Sequence, residues 1–233
     1  LHRDLGRFKV RAEKISRLKF IMAAKTTTKR PDFRDAFGVN VLNSRHKDIR
    51  RIRRNHPPAI HGNKCWTSSY LIMDYLRKNG LPKSKKKKCR VMEVGCGWGL
   101  ASIFCAKEYG AKITGTDADN NVFPYLDLHA EINGVEMRRY TAKFEDLTLS
   151  ELSEFDLVLA ADVCFWEQLI EPLWKLVQNS MDAGVKQIII GDLGREPFEE
   201  VARRSLKKFS GKKKQKLITK PVRSHGYLLV VDR

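Results

Sequence analysis

Cys89-Arg90-Val91-Met92-Glu93-Val94-Gly95-Cys96-Gly97-Trp98-Gly99-Leu100 runs an apolar strand into three alternating glycines, and Ala101 to Tyr109 continues as a helix. Without a Cβ, Gly95, Gly97 and Gly99 let the backbone turn tightly and a ligand approach it closely. Gly110 closes the helix, and a second strand, Lys112 to Thr116, ends at Asp117. A carboxylate roughly 20 positions past such glycines is where a doubly wound sheet places an acceptor for ribose hydroxyls. A plain strand-to-helix turn is the bland alternative for the glycines alone.

The residue before the loop separates two ligand classes. A dinucleotide fingerprint spaces its glycines G-x-G-x-x-G and packs a pyrophosphate on the helix N-terminus. Here the spacing is G-x-G-x-G, and Glu93 stands two residues ahead of Gly95. An acid beside the loop repels a pyrophosphate and suits a ligand carrying an ammonium group. On these residues the chain resembles the class I, seven-strand S-adenosylmethionine-dependent methyltransferases, whose first motif is [D/E]-x-G-x-G-x-G. The resemblance implies that S-adenosyl-L-methionine is the cofactor, that Glu93 and Gly95, Gly97 and Gly99 face its methionine part, and that Asp117 binds its ribose. It also implies an α/β, doubly wound Rossmann-like seven-strand sheet, mostly parallel with an antiparallel edge.

The remaining elements fit that plan. Leu71, Ile72, Tyr75 and Leu76 make one apolar helical face. Trp66, just ahead of it, is either a packing anchor or, by the resemblance, a residue at the cofactor or substrate mouth. Val122 to Ile132 reads as a helix, and a third strand is placed around Met137 to Ala142. Glu145 and Asp146 follow, in the region that the resemblance assigns to the adenine, with Glu145 as its carboxylate. Both acids equally suit the start of a helix at Leu147 to Leu152. Phe155 to Ala161 is a nearly continuous apolar run, as in a strand buried inside a parallel sheet. Gln187 to Ile190 is a fifth strand ending at Gly191-Asp192, and Pro197 starts a helix. Lys216 to Val222 and Tyr227 to Val231, separated by Arg223 to Gly226, close the chain as an antiparallel hairpin.

Ligands of open α/β sheets sit beyond the carboxyl ends of the strands, so Asp162-Val163-Cys164-Phe165-Trp166 should face the transferred group. This stretch lacks the paired prolines that base-amine methyltransferases use. It matches D-x-x-[Y/F], which is similar to the family 16 group of methyltransferase-like proteins, many of them protein-lysine methyltransferases. The similarity spans roughly Pro57 to Gly194. It implies catalytic roles for Asp162, which also borders the cofactor, and for Phe165, which stands where the group's usual residue is tyrosine. An apolar site lowers the pKa of an incoming amine, Asp162 aims its lone pair, and the rings wall its alkyl stem. In the alternative, Asp162 caps the next helix while Phe165 and Trp166 pack beneath it.

The 233 residues carry a formal net charge of +18, concentrated early: Arg3 to Lys19, then Arg45 to Arg54. Lys85 to Lys88 and Lys212 to Lys214 read as solvated loop charges. Residues 1–56 are read as a basic extension, mobile from Lys25 to Asn55 apart from a short helix over Ser44 to Arg54, and residues 57–233 as the methyltransferase domain. The chain opens on Leu1, while Met22-Ala23-Ala24-Lys25 resembles an ordinary start, so residues 1–21 are either foreign to the native protein or a basic presequence. Asp4, Glu13 and the scarcity of serine speak against an organelle signal, and the expected address is the cytoplasm. No stretch approaches the roughly 20 apolar residues of a membrane span. The five cysteines never form C-x-x-C, and His61 with Cys65 is too few ligands for zinc, so no metal site is expected. A monomeric enzyme acting on a protein lysine is expected. RNA or the ribosome is the alternative acceptor, gripped by the basic arm, and a non-catalytic S-adenosylmethionine- or RNA-binding module is the third reading.

Overall fold

In a computed structural model, residues 32–59, 61–62 and 64–233 are described. The charge cluster from Arg3 to Lys19 and the start at Met22 lie outside them. Phe33–Arg233 forms one compact unit.

Its centre is a seven-stranded sheet. In chain order the strands are β3 (Arg90–Val94), β4 (Lys112–Asp117), β5 (Met137–Thr141), β6 (Leu157–Ala161), β7 (Gln187–Asp192), β8 (Ser210–Ile218) and β9 (Ser224–Asp232). They lie side by side as β5-β4-β3-β6-β7-β9-β8. The first five are parallel, and β9 runs antiparallel to both β7 and β8. From β3 the chain winds outward through β4 and β5, and from β6 outward the other way. The crevice between β3 and β6 is therefore the switch point where such sheets take ligands.

Side chains alternate across the strands, so β6 sends Leu157 and Leu159 into one apolar layer and Val158 and Ala160 into the other. The first layer is covered by α2 (Ser68–Asn79), α3 (Leu100–Tyr109) and α4 (Phe123–Asn133), which contribute Leu71, Ile103 and Tyr125. The second lies under α6 (Ile170–Ala183) and α7 (Glu196–Lys208), through Leu173, Leu176 and Phe198. The five thiols are all free and divide among these layers: Cys65, Cys89 and Cys105 in the first, Cys164 in the second, and Cys96 in a small cluster under α4.

Three local expectations are corrected. Residues 33–55 are not a mobile arm. β1 (Phe33–Ala36) and β2 (Val39–Leu42) pair as a hairpin around Phe37 and Gly38, both at positive φ, and α1 (Lys47–Asn55) buries Ile49. Asn40 and Asn133 exchange two hydrogen bonds, and Leu42 N donates to His129 Nε2, so the hairpin is fastened to α4. The packed body accordingly begins near Phe33 rather than Pro57. Second, Lys212 to Lys214 belong to the edge strand β8, not to a loop, and the β8–β9 connection is 219–223. Third, α5 (Leu149–Leu152) is opened by Thr148 in a capping box with Glu151, while Glu145 and Asp146 occupy a preceding 3-10 turn.

Candidate active site

The glycine loop leaves β3 at Val94 and enters α3 with Gly99 as its N-cap. Gly95, Gly97 and Gly99 all have positive φ, for different reasons. A Cβ on Gly95 would lie 2.7 Å from Val163, and one on Gly99 would lie 2.0 Å from Leu126. One on Gly97 would meet nothing within 4 Å. Two glycines thus make room for packing, and Gly97 leaves the backbone uncovered toward the crevice. Gly97 N donates to Asp117 Oδ2 at 3.2 Å, and Asp119 N donates to Asp117 Oδ1, so the carboxylate at the end of β4 reaches the loop.

Glu93 is 2% exposed, and its Oε2 accepts from Ser102 N at 2.9 Å at the start of α3. Burial pushes its carboxyl up to about 7, against the Ser102 hydrogen bonds, which pull it down. No cation pairs with it among the described residues. With Cys65, Trp66, Ser69, the glycine loop and Ala161, Glu93 lines a narrow cleft. A buried carboxylate lacking a counter-ion, beside an uncovered glycine, fits a cofactor whose amino acid end brings an ammonium group. Glu145 lies in the turn after β5, half-exposed, at the same end of the sheet as the glycine loop.

Beyond β6, Asp162 is 2% exposed and adopts φ 55°, a left-handed conformation rare outside glycine. Its N–H donates to Gly191 O at 2.8 Å, and its carboxylate accepts from Ser68 N at 3.1 Å and from Arg195 Nη1 at 2.9 Å. The same Arg195 nitrogen donates to Asp192 Oδ2 at 2.6 Å. Asp162 therefore does not cap a following helix. Ser68 reaches it because Gly191 has no side chain: a Cβ there would sit 2.9 Å from Ser68 O.

Arg195 links this carboxylate to an aromatic mouth, since its guanidinium lies over Phe165. Phe165 packs against His61 at 4.9 Å and Trp66 at 5.1 Å between ring centroids, and Trp166 stands 6.0 Å from Phe165. Trp166 is 48% exposed rather than packed beneath a helix. Trp66 Nε1 donates to His61 O, which fixes its ring at the rim. The mouth already accepts cations on its ring faces, with Lys64 Nζ 3.8 Å from the Trp66 centroid and the Arg195 guanidinium 4.8 Å from Phe165. Cys164, by contrast, is fully buried, and burial beside Asp192 pushes its thiol up to about 12, which rules out a resting thiolate. Among the described residues no group of three metal-ligating side chains occurs.

Trp66, Glu93 and the glycines line one cleft, and Asp162 and Phe165 follow β6 beside it; the sequence reading assigned no role to Ser68, took Arg195 only as a strand-end residue within reach of substrate, and read His61 only as a failed metal ligand. The available signal for Arg195 was its place just after the fifth strand, at the ligand-binding end of the sheet.

A family model described as lysine methyltransferase matches residues 50–208. The chain is 31% identical over 137 residues to a histidine protein methyltransferase 1 homolog of Dictyostelium discoideum, covering 55% of this chain and 43% of that protein. It is 25% identical over 135 residues to the electron transfer flavoprotein beta subunit lysine methyltransferase of Danio rerio, covering 58% and 50% respectively. The chain thus spans about half the length of these relatives or less. Among solved structures, the human methyltransferase 10 domain containing protein aligns with a TM-score of 0.52 at 15% identity, over 81% of this chain and 96% of that one, a likeness of fold.

Proposed function

The chain belongs to the lysine methyltransferase family, and on that premise we propose that it transfers a methyl group from S-adenosyl-L-methionine to a lysine side chain of a protein. The observation that carries this reading is Asp162, a buried carboxylate at the switch point whose partner Arg195 lies on Phe165, in the aromatic cluster of His61, Trp66, Phe165 and Trp166. A long alkyl stem ending in an amine suits aromatic walls with an acid close behind them.

When bound, S-adenosylmethionine supplies a methyl group on a sulfonium, open to in-line attack. Glu93 would hold the cofactor's ammonium, Gly97 would give its backbone room, and Asp117 would accept from its ribose. Glu145 would be the carboxylate facing its adenine. At the mouth the rings exclude water, which favours the uncharged amine that attack requires. Asp162 accepts an N–H from that amine and so turns its lone pair toward the methyl. Its oxygens retain acceptor capacity, because an ionised carboxylate has about four lone-pair sites and two are used by Ser68 and Arg195. Holding the two reactants in contact is worth roughly 7–11 kcal/mol of barrier.

A second reading is methylation of a histidine ring nitrogen, which the similarity to the histidine protein methyltransferase favours. Labelled S-adenosylmethionine, incubated with the chain and a cell extract, separates the cases. The expected label survives nuclease, disappears with protease and yields methyl-lysine on hydrolysis. Methyl-histidine would favour the second reading, and nuclease-sensitive label would point instead to RNA. Asp162→Asn is expected to keep cofactor affinity and lower turnover by about 100-fold. Asp117→Ala is expected to weaken cofactor binding; unchanged affinity on calorimetry would remove Asp117 from the ribose.

A further inference from the structure

A second opening is lined by residues that directly follow Trp166 and Arg195 in the chain. It is a groove of about 700 Å³ between the 3-10 turn Glu167–Leu169, the start of α6 and the outer face of α7. Its floor is apolar, formed by Ile170, Pro197 and Leu206. Its walls carry four glutamates, Glu167, Glu196, Glu199 and Glu200, against two cations, Arg203 and Lys213. On a chain of formal net charge +18 this is a local reversal of sign.

The charges inside the groove are not equivalent. Glu199 pairs with Lys213, and Glu200 pairs with Arg203 at 2.7 Å, so both cations are taken. Glu167 and Glu196 have no ion-pair partner among the described residues, and both are exposed. Each directly follows a mouth residue: Glu167 follows Trp166, and Glu196 follows Arg195, whose guanidinium lies on Phe165. The two uncommitted carboxylates therefore mark the side of the groove nearest the mouth in the chain.

We propose that this groove holds the substrate polypeptide on one side of the acceptor residue and selects segments with arginine or lysine close to the acceptor. The inference rests on the methyl transfer to protein argued above and adds the class of sequence chosen. The apolar floor takes the aliphatic stems of long basic side chains, and Glu167 and Glu196 take their charges. Reach follows from dimensions. From Glu196 to Leu206 a helix advances about 15 Å, at about 1.5 Å per residue. An extended peptide covers that span in about four or five residues. Selection should thus extend about four positions from the acceptor and then stop.

Equilibrium binding to the whole chain tests this without requiring turnover. Dye-labelled peptides carry one central lysine in a glycine-serine background, with two arginines placed within about four residues on one side, on the other side, or at the far end. One near-arginine peptide is expected to bind about tenfold tighter than its arginine-free counterpart, the product of two exposed ion pairs at about threefold each. The opposite-side and far-end peptides should gain less than twofold. Charge reversal by Glu167→Lys with Glu196→Lys should erase the gain and leave S-adenosylmethionine affinity unchanged, the control for folding. Equal affinity for all peptides, a gain that survives the double reversal, a preference for acidic flanks, or no detectable peptide binding would each overturn the proposal. Methyl-lysine in the labelling experiment with no arginine preference here removes only the groove assignment. Arginine preference with label on RNA or histidine removes the lysine reading instead.

Discussion

Asp162 is held in a left-handed conformation by three hydrogen bonds, and one of its two carboxylate partners is shared with Asp192. Arg195 is thus the only cation between two buried acids among the described residues. Burial raises the Asp192 carboxyl, and the guanidinium pulls against it. Arg195→Ala should therefore cost about 1.5–3 kcal/mol, the value of a hydrogen bond to a charged group, and lower turnover by releasing Asp162; a thermal melt and steady-state rates check both. At Glu93 the expectation concerns pH. Its carboxyl sits at about 7 and must be ionised to pair with an ammonium group. S-adenosylmethionine affinity should hold above pH 7 and fall by up to about tenfold per unit below it, a slope that Glu93→Gln should abolish on calorimetric titration. Gly97→Ala meets open space, so it should cost only the about 1–2 kcal/mol of a left-handed residue while impairing cofactor binding. The places of Asp162, Glu93 and the glycines were legible because they are local, in or just beyond an apolar strand. The pairing of Arg195 with Asp162 was not, since the two lie 33 positions apart and only the pairing of β6 with β7 brings them together.

At the scale of elements, the buried strands could be read from composition and the edges could not. β3, β6 and β7 announce themselves as largely apolar runs because most of their residues are enclosed on both faces. β8 is exposed along most of its length and carries Lys212, Lys213, Lys214 and Lys216, so its sequence resembles a polar loop. The same lysines discourage another chain from pairing with that edge. The β1–β2 hairpin was hidden for a related reason: its strands are four residues each, and what anchors it is a contact with His129, 87 positions from Leu42. His129 is wholly buried, stacks on Trp98 at 4.7 Å, and is pushed by burial from 6.5 down to about 4. Between those values the unfolded chain binds the extra proton and the folded chain does not. Its contribution is therefore full above about pH 6.5 and is lost as the pH falls to about 4, amounting to about 3 kcal/mol. Urea unfolding at several pH values should show that loss, and His129→Gln should flatten it. The contact between α2 and β7 sets a further expectation. Gly191→Ala should displace Ser68 from Asp162 and reduce turnover more than it reduces cofactor affinity.

For the whole molecule the governing quantity is charge. A net +18 opposes compaction through self-repulsion, and the ion pairs on the surface are mostly exposed and individually weak. Repulsion should dominate, so the melting temperature should rise as salt increases from about 0.01 M to about 1 M and the screening length shrinks from about 30 Å to about 3 Å. A fall over that range would mean that the ion pairs outweigh the net charge. The distribution of the thiols adds a different kind of handle. Burial holds Cys65 up to about 11 and Cys89 and Cys164 up to about 12, and raises Cys96 and Cys105 well above their usual value. None is reactive while its surroundings stay closed. Each is therefore a clock: the rate at which an alkylating reagent consumes Cys105, Cys96 or Cys164 times the opening of the layer around it, so one chain without added labels records the order in which its parts come undone.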